Sequence, residues 1–147
     1  MQDLEDRMNK AREFAIKAHG NQMYGKFQYS YHLDQVKYKL MELEHKGWDV
    51  PEDAYVVAYL HDVLEDTGTC STEITELFGG IVTGAVVALS KNLSNDYVEY
   101  ISDIKKCPIA RIVKIADTLC NLQASINSVE PKRVKKYAEQ LAKLMEK

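Results

Sequence analysis

Apolar side chains recur at helical spacing along almost the whole chain, and this periodicity limits the possible folds more than any other feature. Residues three and four apart lie on one face of a helix, so each apolar row predicts one amphipathic helix. The first such row is Leu4, Met8, Ala11, Ala15 and Ala18. Residues 19–31, with two glycines and many polar groups, interrupt the pattern and are predicted to form a loop.

Further apolar rows predict helices over most of the remaining sequence. Pro51, Pro108 and Pro131 each stand where a helix is expected to begin, since proline suits the first helical turn. Residues 81–90 are rich in β-branched side chains and are compatible with a strand, but no partner strand is apparent, so a helix is favoured. The last helix is expected to bury the row Val134, Ala138, Leu141 and Met145. The sequence therefore predicts an all-α bundle of about seven helices, forming one domain over residues 1–147.

Composition restricts the partners and the compartment. The chain has 147 residues and a net charge of -3, which argues against nucleic-acid or membrane-surface binding. No apolar run approaches the roughly 20 residues of a membrane span, and the first ten residues lack the apolar stretch of a signal peptide. Cys70, Cys107 and Cys120 are odd in number and lack CxxC spacing, so a reducing cytoplasm is the expected location.

The stretch "YLHDVLEDTG", residues 59–68, places ionisable groups at the end of the most apolar predicted helix. These groups are His61, Asp62, Glu65 and Asp66. Taken alone, His61 fits a structural histidine with a satisfied hydrogen bond, and Glu65 and Asp66 fit a solvated helix end. A buried ionised carboxylate such as Asp62, however, is costly unless it is paired or coordinates a metal.

Two further inward-facing polar residues strengthen the interpretation as a metal site. His32 falls on the row of Val36 and Leu40, and Asp117 lies within an apolar helix with Asn121 one turn later. A solvated edge position for Asp117 is the alternative. Together with His61 and Asp62 these residues offer two imidazoles and two carboxylates, a set that suits Mn²⁺, Fe²⁺ or Zn²⁺ better than Ca²⁺. Open coordination positions would admit water and a phosphoryl oxygen.

At these motifs the sequence resembles the HD-domain phosphohydrolases, and in particular the hydrolase domain of RelA/SpoT-type enzymes and their small stand-alone relatives. The resemblance spans roughly residues 11–124. It is carried by the motifs "AHGNQMYG", "YSYHL", "YLHDVLEDT", "ITELFGGIV" and "VKIADTLCNL". The resemblance implies an all-α fold and manganese-dependent removal of the 3′-pyrophosphate from guanosine tetra- or pentaphosphate.

The resemblance also assigns roles to individual residues. His32, His61, Asp62 and Asp117 match the metal ligands, Glu65 and Asp66 match the catalytic acidic pair, and Asn121 matches a substrate contact. The matched enzymes carry a basic Arg-Lys-Ser-Gly loop before the first ligand histidine. Here "MYGKFQYSYH" is one residue shorter, and Lys26 is its only cation. Tyr24 in this loop either stacks on a base or ribose or packs the loop onto the core.

Other positions also depart from the pattern of the matched enzymes, although none of them is a metal ligand. Leu33 and Gln28 replace prolines, and Thr118 and Cys120 stand where arginine and histidine often occur. The leading hypothesis is a guanosine polyphosphate 3′-pyrophosphohydrolase. The altered loop leaves two alternatives, an HD-type nucleotidase or NADPH phosphatase and a nucleotide-binding module without catalysis.

Overall fold

In the computed structural model the chain forms a helical bundle, described here for residues 2–91 and 96–147. The helices within these ranges are α1 (Gln2–His19), α2 (Tyr29–His45), α3 (Glu52–Leu60), α4 (Val63–Asp66), α5 (Ser71–Phe78), α6 (Gly80–Leu89), α7 (Tyr97–Lys105), α8 (Pro108–Asn127) and α9 (Pro131–Met145). Strands β1 (Met23–Tyr24) and β2 (Phe27–Gln28) form a two-stranded hairpin. The all-α prediction is confirmed. Residues 1 and 92–95 of the predicted single domain lie outside the described residues.

Helix α8 lies at the centre of the bundle. It contacts α2, α3, α6, α7 and α9, while α1 packs across α2 and α3. Pro108 occupies the first turn of α8 as predicted, and Asp96 caps α7 by accepting a hydrogen bond from the backbone N–H of Glu99 at 2.8 Å. Among the described helices, none is both long and apolar enough to cross a membrane.

The helix that was predicted to run to Gly68 is interrupted after Leu60, which raises the number of helices above seven. His61 stays close to helical geometry, but Asp62 has φ −107° and ψ 0°, in the sparsely populated region between helix and strand. The chain resumes a single helical turn at Val63. The continuous apolar pattern gave no sign of this break.

The segment predicted as a loop contains the short hairpin. The Tyr24–Phe27 pair leaves a two-residue turn, and Gly25 adopts φ 58°, a left-handed conformation that glycine adopts without steric cost. Residues 81–90 are helical as favoured, with α6 ending at Leu89.

The buried face predicted for α9 is wrong at two of its four positions, while Val134 and Leu141 are half-buried. Ala138 and Met145 are exposed, whereas Gln140 and Leu144 are buried. Gln140 can be buried because its amide nitrogen donates to Thr118 Oγ1 at 2.8 Å, which satisfies the polar group. The helix is therefore rotated relative to the prediction, and its polar side faces the neighbouring cavity described below.

Candidate active site

Three of the predicted metal ligands converge in the interior of the bundle. His32 comes from α2, His61 follows α3, and Asp117 comes from the middle of α8. One possible ligand atom from each lies within 4.8 Å of the others. His32 Nε2 is 2.8 Å from Asp117 Oδ1, and His61 Nε2 is 3.4 Å from the same oxygen. All three side chains are buried, which is why helical rows could locate them from the sequence.

Asp62, the fourth predicted ligand, lies beside this group but outside the 4.8 Å set. Its Oδ2 is 3.1 Å from His61 Nε2 and accepts a hydrogen bond from the hydroxyl of Tyr29. Neighbouring side chains on a regular helix diverge by about 100°. The interruption at Asp62 instead brings the side chains of His61 and Asp62 into contact.

The donor atoms fit a transition-metal ion. His61 Nδ1 lies 2.7 Å from the carbonyl oxygen of Ala58, so it donates a proton there and leaves the Nε2 lone pair facing the carboxylates. Within the described part of the chain, buried His61 Nε2 and His32 Nδ1 have no hydrogen-bond partner. The unpartnered His61 Nε2, which lies beside the carboxylates of Asp62 and Asp117, is what a bound Mn²⁺, Fe²⁺ or Zn²⁺ would satisfy.

The electrostatics of the cluster also favour a bound cation. Burial alone would lower the pKa of His61, but the carboxylates of Asp62 and Asp117 raise it well above its usual value. Burial opposes ionisation of Asp62, yet the charge of His61 lowers the pKa of Asp62 to about 2. In the metal-free protein a proton on His61 therefore supplies the positive charge that these carboxylates require.

Lys114 supplies a further positive charge that the sequence interpretation missed. Its ammonium lies 3.2 Å from Asp117 Oδ2, and both side chains are largely buried. Burial alone would raise the pKa of Asp117, but Lys114 and then His61 hold it well below its usual value. The spacing of three residues within one helix was the available signal, because such pairs are neighbours on a helix surface.

A cavity of about 270 Å³ opens beside the cluster. Its wall includes His32, Asp62 and Asp117 together with both predicted catalytic acids, Glu65 and Asp66. Glu65 accepts a hydrogen bond from the backbone N–H of Lys91 at 2.6 Å, and burial raises the pKa of its carboxyl group. Asp66 is exposed to solvent and accepts a hydrogen bond from Gln22. The structure thus places the two acids next to the cluster, in the wall of the cavity.

The three predicted substrate contacts separate into two places. Asn121 lines the cavity and accepts a hydrogen bond from the Tyr24 hydroxyl at 2.6 Å. The Tyr24 ring stacks on the His32 imidazole, with ring centres 4.3 Å apart, so this tyrosine packs the hairpin onto the interior. Lys26 does not line this cavity. It borders a neighbouring cavity of about 800 Å³, with its ammonium 5.5 Å from the centre of the Phe27 ring.

Helix α9 and the start of the α6–α7 connection supply cations that were not predicted. The cations on the cavity wall are Lys91, Lys114, Arg133 and Lys136. Arg133, Lys136 and Gln140 follow helical spacing on the polar side of α9, which the prediction had turned toward solvent. Positive charge was expected from the loop before His32, and the cavity wall also receives it from other parts of the chain.

Comparison with known proteins agrees with the fold and with the motifs. No family model matches the chain. A guanosine-3′,5′-bis(diphosphate) 3′-pyrophosphohydrolase from Aquifex aeolicus (strain VF5) is 32% identical over 139 residues, covering 88% of this chain. This chain spans 19% of the length of that relative.

A solved structure, described as that of a metazoan ortholog of SpoT that hydrolyzes ppGpp and plays a role in starvation responses, has the same fold. It superposes with a TM-score of 0.74, covers 95% of this chain and 85% of its own, and is 24% identical. The likeness to this structure places the chain in the class of all-α bundle domains with the same fold. Within that class, the predicted resemblance to the RelA/SpoT-type hydrolase domain is confirmed.

Proposed function

We propose that this protein is a divalent-metal-dependent phosphohydrolase that removes the 3′-pyrophosphate from a guanosine polyphosphate. The reaction consumes one water and yields GDP and pyrophosphate from guanosine tetraphosphate. The observation that carries the proposal is the position of the cluster of His32, His61 and Asp117. His32 and Asp117 line one cavity with two acids and four cations. His61 lies next to them, with Nε2 3.4 Å from Asp117 Oδ1. The similarity to the Aquifex aeolicus pyrophosphohydrolase supports this choice of substrate.

His32, His61, Asp62 and Asp117 are the proposed holders of the metal ion, which we propose to be Mn²⁺. When bound there, such an ion acidifies a coordinated water and polarises a phosphoryl oxygen. The Tyr29 hydroxyl orients Asp62 through its hydrogen bond, and the Lys114 ammonium holds Asp117 ionised. The Tyr29 contact keeps the Asp62 carboxylate in the direction that ligation needs.

Glu65 and Asp66 are the proposed proton-transfer residues. Burial raises the pKa of Glu65, which brings this carboxyl group closer to the pH at which general bases work best. Asp66 is exposed, so it can exchange protons with solvent. Lys91, Arg133 and Lys136 are the proposed phosphate contacts, since Arg and Lys side chains bind phosphate oxygens through charge-assisted hydrogen bonds. Asn121 is the proposed contact to the ribose or phosphate region.

The test is product analysis with purified protein, Mn²⁺ and guanosine tetraphosphate. Wild type should release pyrophosphate, and Asp62→Asn should not. Asp49→Asn, an exposed carboxylate in the α2–α3 connection, makes the same chemical change away from the cavity and should match wild type. Wild-type release no faster than that of Asp62→Asn would refute the substrate assignment.

The aromatic hairpin favours a second candidate function. Tyr24 lines the cavity where the matched enzymes carry a basic loop, and Lys26 lies outside it. A nucleotidase or NADPH phosphatase would need fewer phosphate contacts on that wall. A panel of nucleotides distinguishes the two, because inorganic phosphate rather than pyrophosphate marks the phosphatase. Tight nucleotide binding with no turnover under any divalent metal would instead identify a binding module.

Two broader assignments belong to the same proposal. Residues 1–147 are proposed to form one hydrolase domain acting on a small-molecule nucleotide. The cytoplasm is the proposed compartment, and the three free cysteines agree with a reducing environment.

A further inference from the structure

The connection between α1 and α2 contacts two of the three acidic residues that follow α3, Asp62 and Asp66. We call residues 19–29 the hairpin segment; it comprises the end of α1, the β1–β2 hairpin and the first residue of α2. Within it, Gln22 Nε2 donates to Asp66 Oδ2 at 3.1 Å, and the Tyr29 hydroxyl donates to Asp62 Oδ2. One segment thus makes a direct hydrogen bond to a proposed metal ligand and another to a proposed catalytic acid.

Contacts within the hairpin segment hold the two donors, Gln22 and Tyr29, in place. Gln22 Oε1 can only accept, so His19 Nδ1, 2.8 Å away, donates to it and directs the Gln22 amide nitrogen toward Asp66. The His19 ring packs against the Tyr29 ring with centres 4.4 Å apart. The backbone N–H of Tyr29 donates to the carbonyl oxygen of Gln22 at 3.1 Å. His19 is 8% exposed, so this arrangement is anchored in the interior rather than on the surface.

Both donors are neutral groups. A lysine or arginine at these positions would neutralise the carboxylates and weaken them as base and as ligand. An amide and a phenol instead fix direction while leaving the negative charge in place. The hairpin segment carries Lys26 as its only lysine or arginine, and that side chain points to a different cavity.

We propose that the hairpin segment positions the two acidic residues, with Gln22 orienting Asp66 and Tyr29 orienting Asp62. The proposal rests on the proposed function for the roles of Asp62 and Asp66. Gln22 and Tyr29 are positioning residues that act through the carboxylates. The segment that carries a basic loop in the matched enzymes thus serves here to orient catalytic groups.

The first experiment separates orientation from substrate binding. Gln22→Met keeps the size of the side chain but removes the amide, and Gln22→Glu replaces the donor with a like charge facing Asp66. Both variants should lower kcat about 10- to 100-fold, the usual cost of a misplaced catalytic group, and change KM less than about threefold. Gln28→Glu is the matched control, since Gln28 lies in the same segment, is exposed and makes no capping hydrogen bond. It should retain wild-type kcat.

The second experiment does not depend on turnover. Tyr29→Phe should weaken Mn²⁺ binding at least about tenfold by calorimetry, because loss of a hydrogen bond to a ligand costs that much in other metal sites. Tyr31→Phe removes a hydroxyl from a 41% exposed ring two residues further along α2 and should leave Mn²⁺ affinity unchanged. In NMR spectra the Gln22 side-chain amide protons should shift in Asp66→Asn but not in Asp49→Asn.

The outcomes distinguish failure of this inference from failure of the proposed function. Absence of pyrophosphate release by wild type refutes the function, while the calorimetric and NMR measurements still test the positioning contacts. Unchanged Mn²⁺ affinity in Tyr29→Phe together with an unshifted Gln22 amide overturns the inference. A rise in KM with wild-type kcat in Gln22→Met also overturns it, because that result assigns the segment to substrate binding.

Discussion

Lys114→Met provides a direct test of the charge balance at the cluster. At an effective dielectric constant of about 20, two unit charges 3.2 Å apart attract by about 5 kcal/mol. Part of this loss is offset, because the variant no longer has a largely buried ammonium with its desolvation cost. Asp117 also keeps its contacts with His32 and His61. The metal-free variant should therefore be about 2 kcal/mol less stable than wild type in urea unfolding.

For the stability of Lys114→Met relative to wild type, saturating Mn²⁺ should have the opposite effect. A bound cation neutralises Asp117 in place of the ammonium, so the stability difference between wild type and Lys114→Met should narrow. The affinity for Mn²⁺ should also rise in the variant, since a competing positive charge has gone. Lys136→Met is the matched control, because this cavity lysine forms no ion pair among the described residues, and its stability should stay near wild type. Equal stability of Lys114→Met and wild type, or a loss that Mn²⁺ leaves unchanged, would refute the reasoning.

Three other expectations concern His61 and the cations of α9. His61→Ala should lose Mn²⁺ binding and activity while circular dichroism still reports a helical protein. The pKa of His61 is raised above 6.5, so its protonation stabilises the metal-free protein below that pH, and this stabilisation is lost as pH rises through the raised value. The Tm measured with a chelator should fall over that range in wild type and stay flat in His61→Gln. Arg133→Gln should raise KM for guanosine tetraphosphate about tenfold with little change in kcat, whereas Lys132→Gln, on the adjacent exposed position, should not.

The sequence was most informative where burial and helical periodicity coincide. His32 and Asp117 each interrupt an apolar row, and a polar residue at such a position must face the interior and find a partner there. Their convergence with His61 is a consequence of packing α2 and α8 around α3, which the order of motifs implied. The ligand roles themselves stay predictions, because distances between side chains do not by themselves identify a bound ion.

The features that were missed have physical causes. The face of α9 was predicted wrongly because apolar rows cannot register a buried amide, and Gln140 is buried only by virtue of its hydrogen bond to Thr118. Lys114 was missed because it looked like a solvated lysine. It can be largely buried because Asp117, on the same helix, compensates its charge. The side of the bundle to which the cavity opens depends on how the helices pack in three dimensions. The position of Arg133 on the cavity wall depends on this packing as well.

The interrupted helix after Leu60 implies a conflict between stability and activity in this chain. Substitutions at or near Asp62 that favour a continuous helix would add backbone hydrogen bonds and conformational order, and a screen for heat resistance would select them. The same changes would turn the side chains of residues 61 and 62 away from each other, because a regular helix separates neighbours by about 100°. Thermostable variants with a continuous helix should therefore bind the metal poorly. Natural selection for function would preserve the interruption, whereas selection for stability alone would remove it.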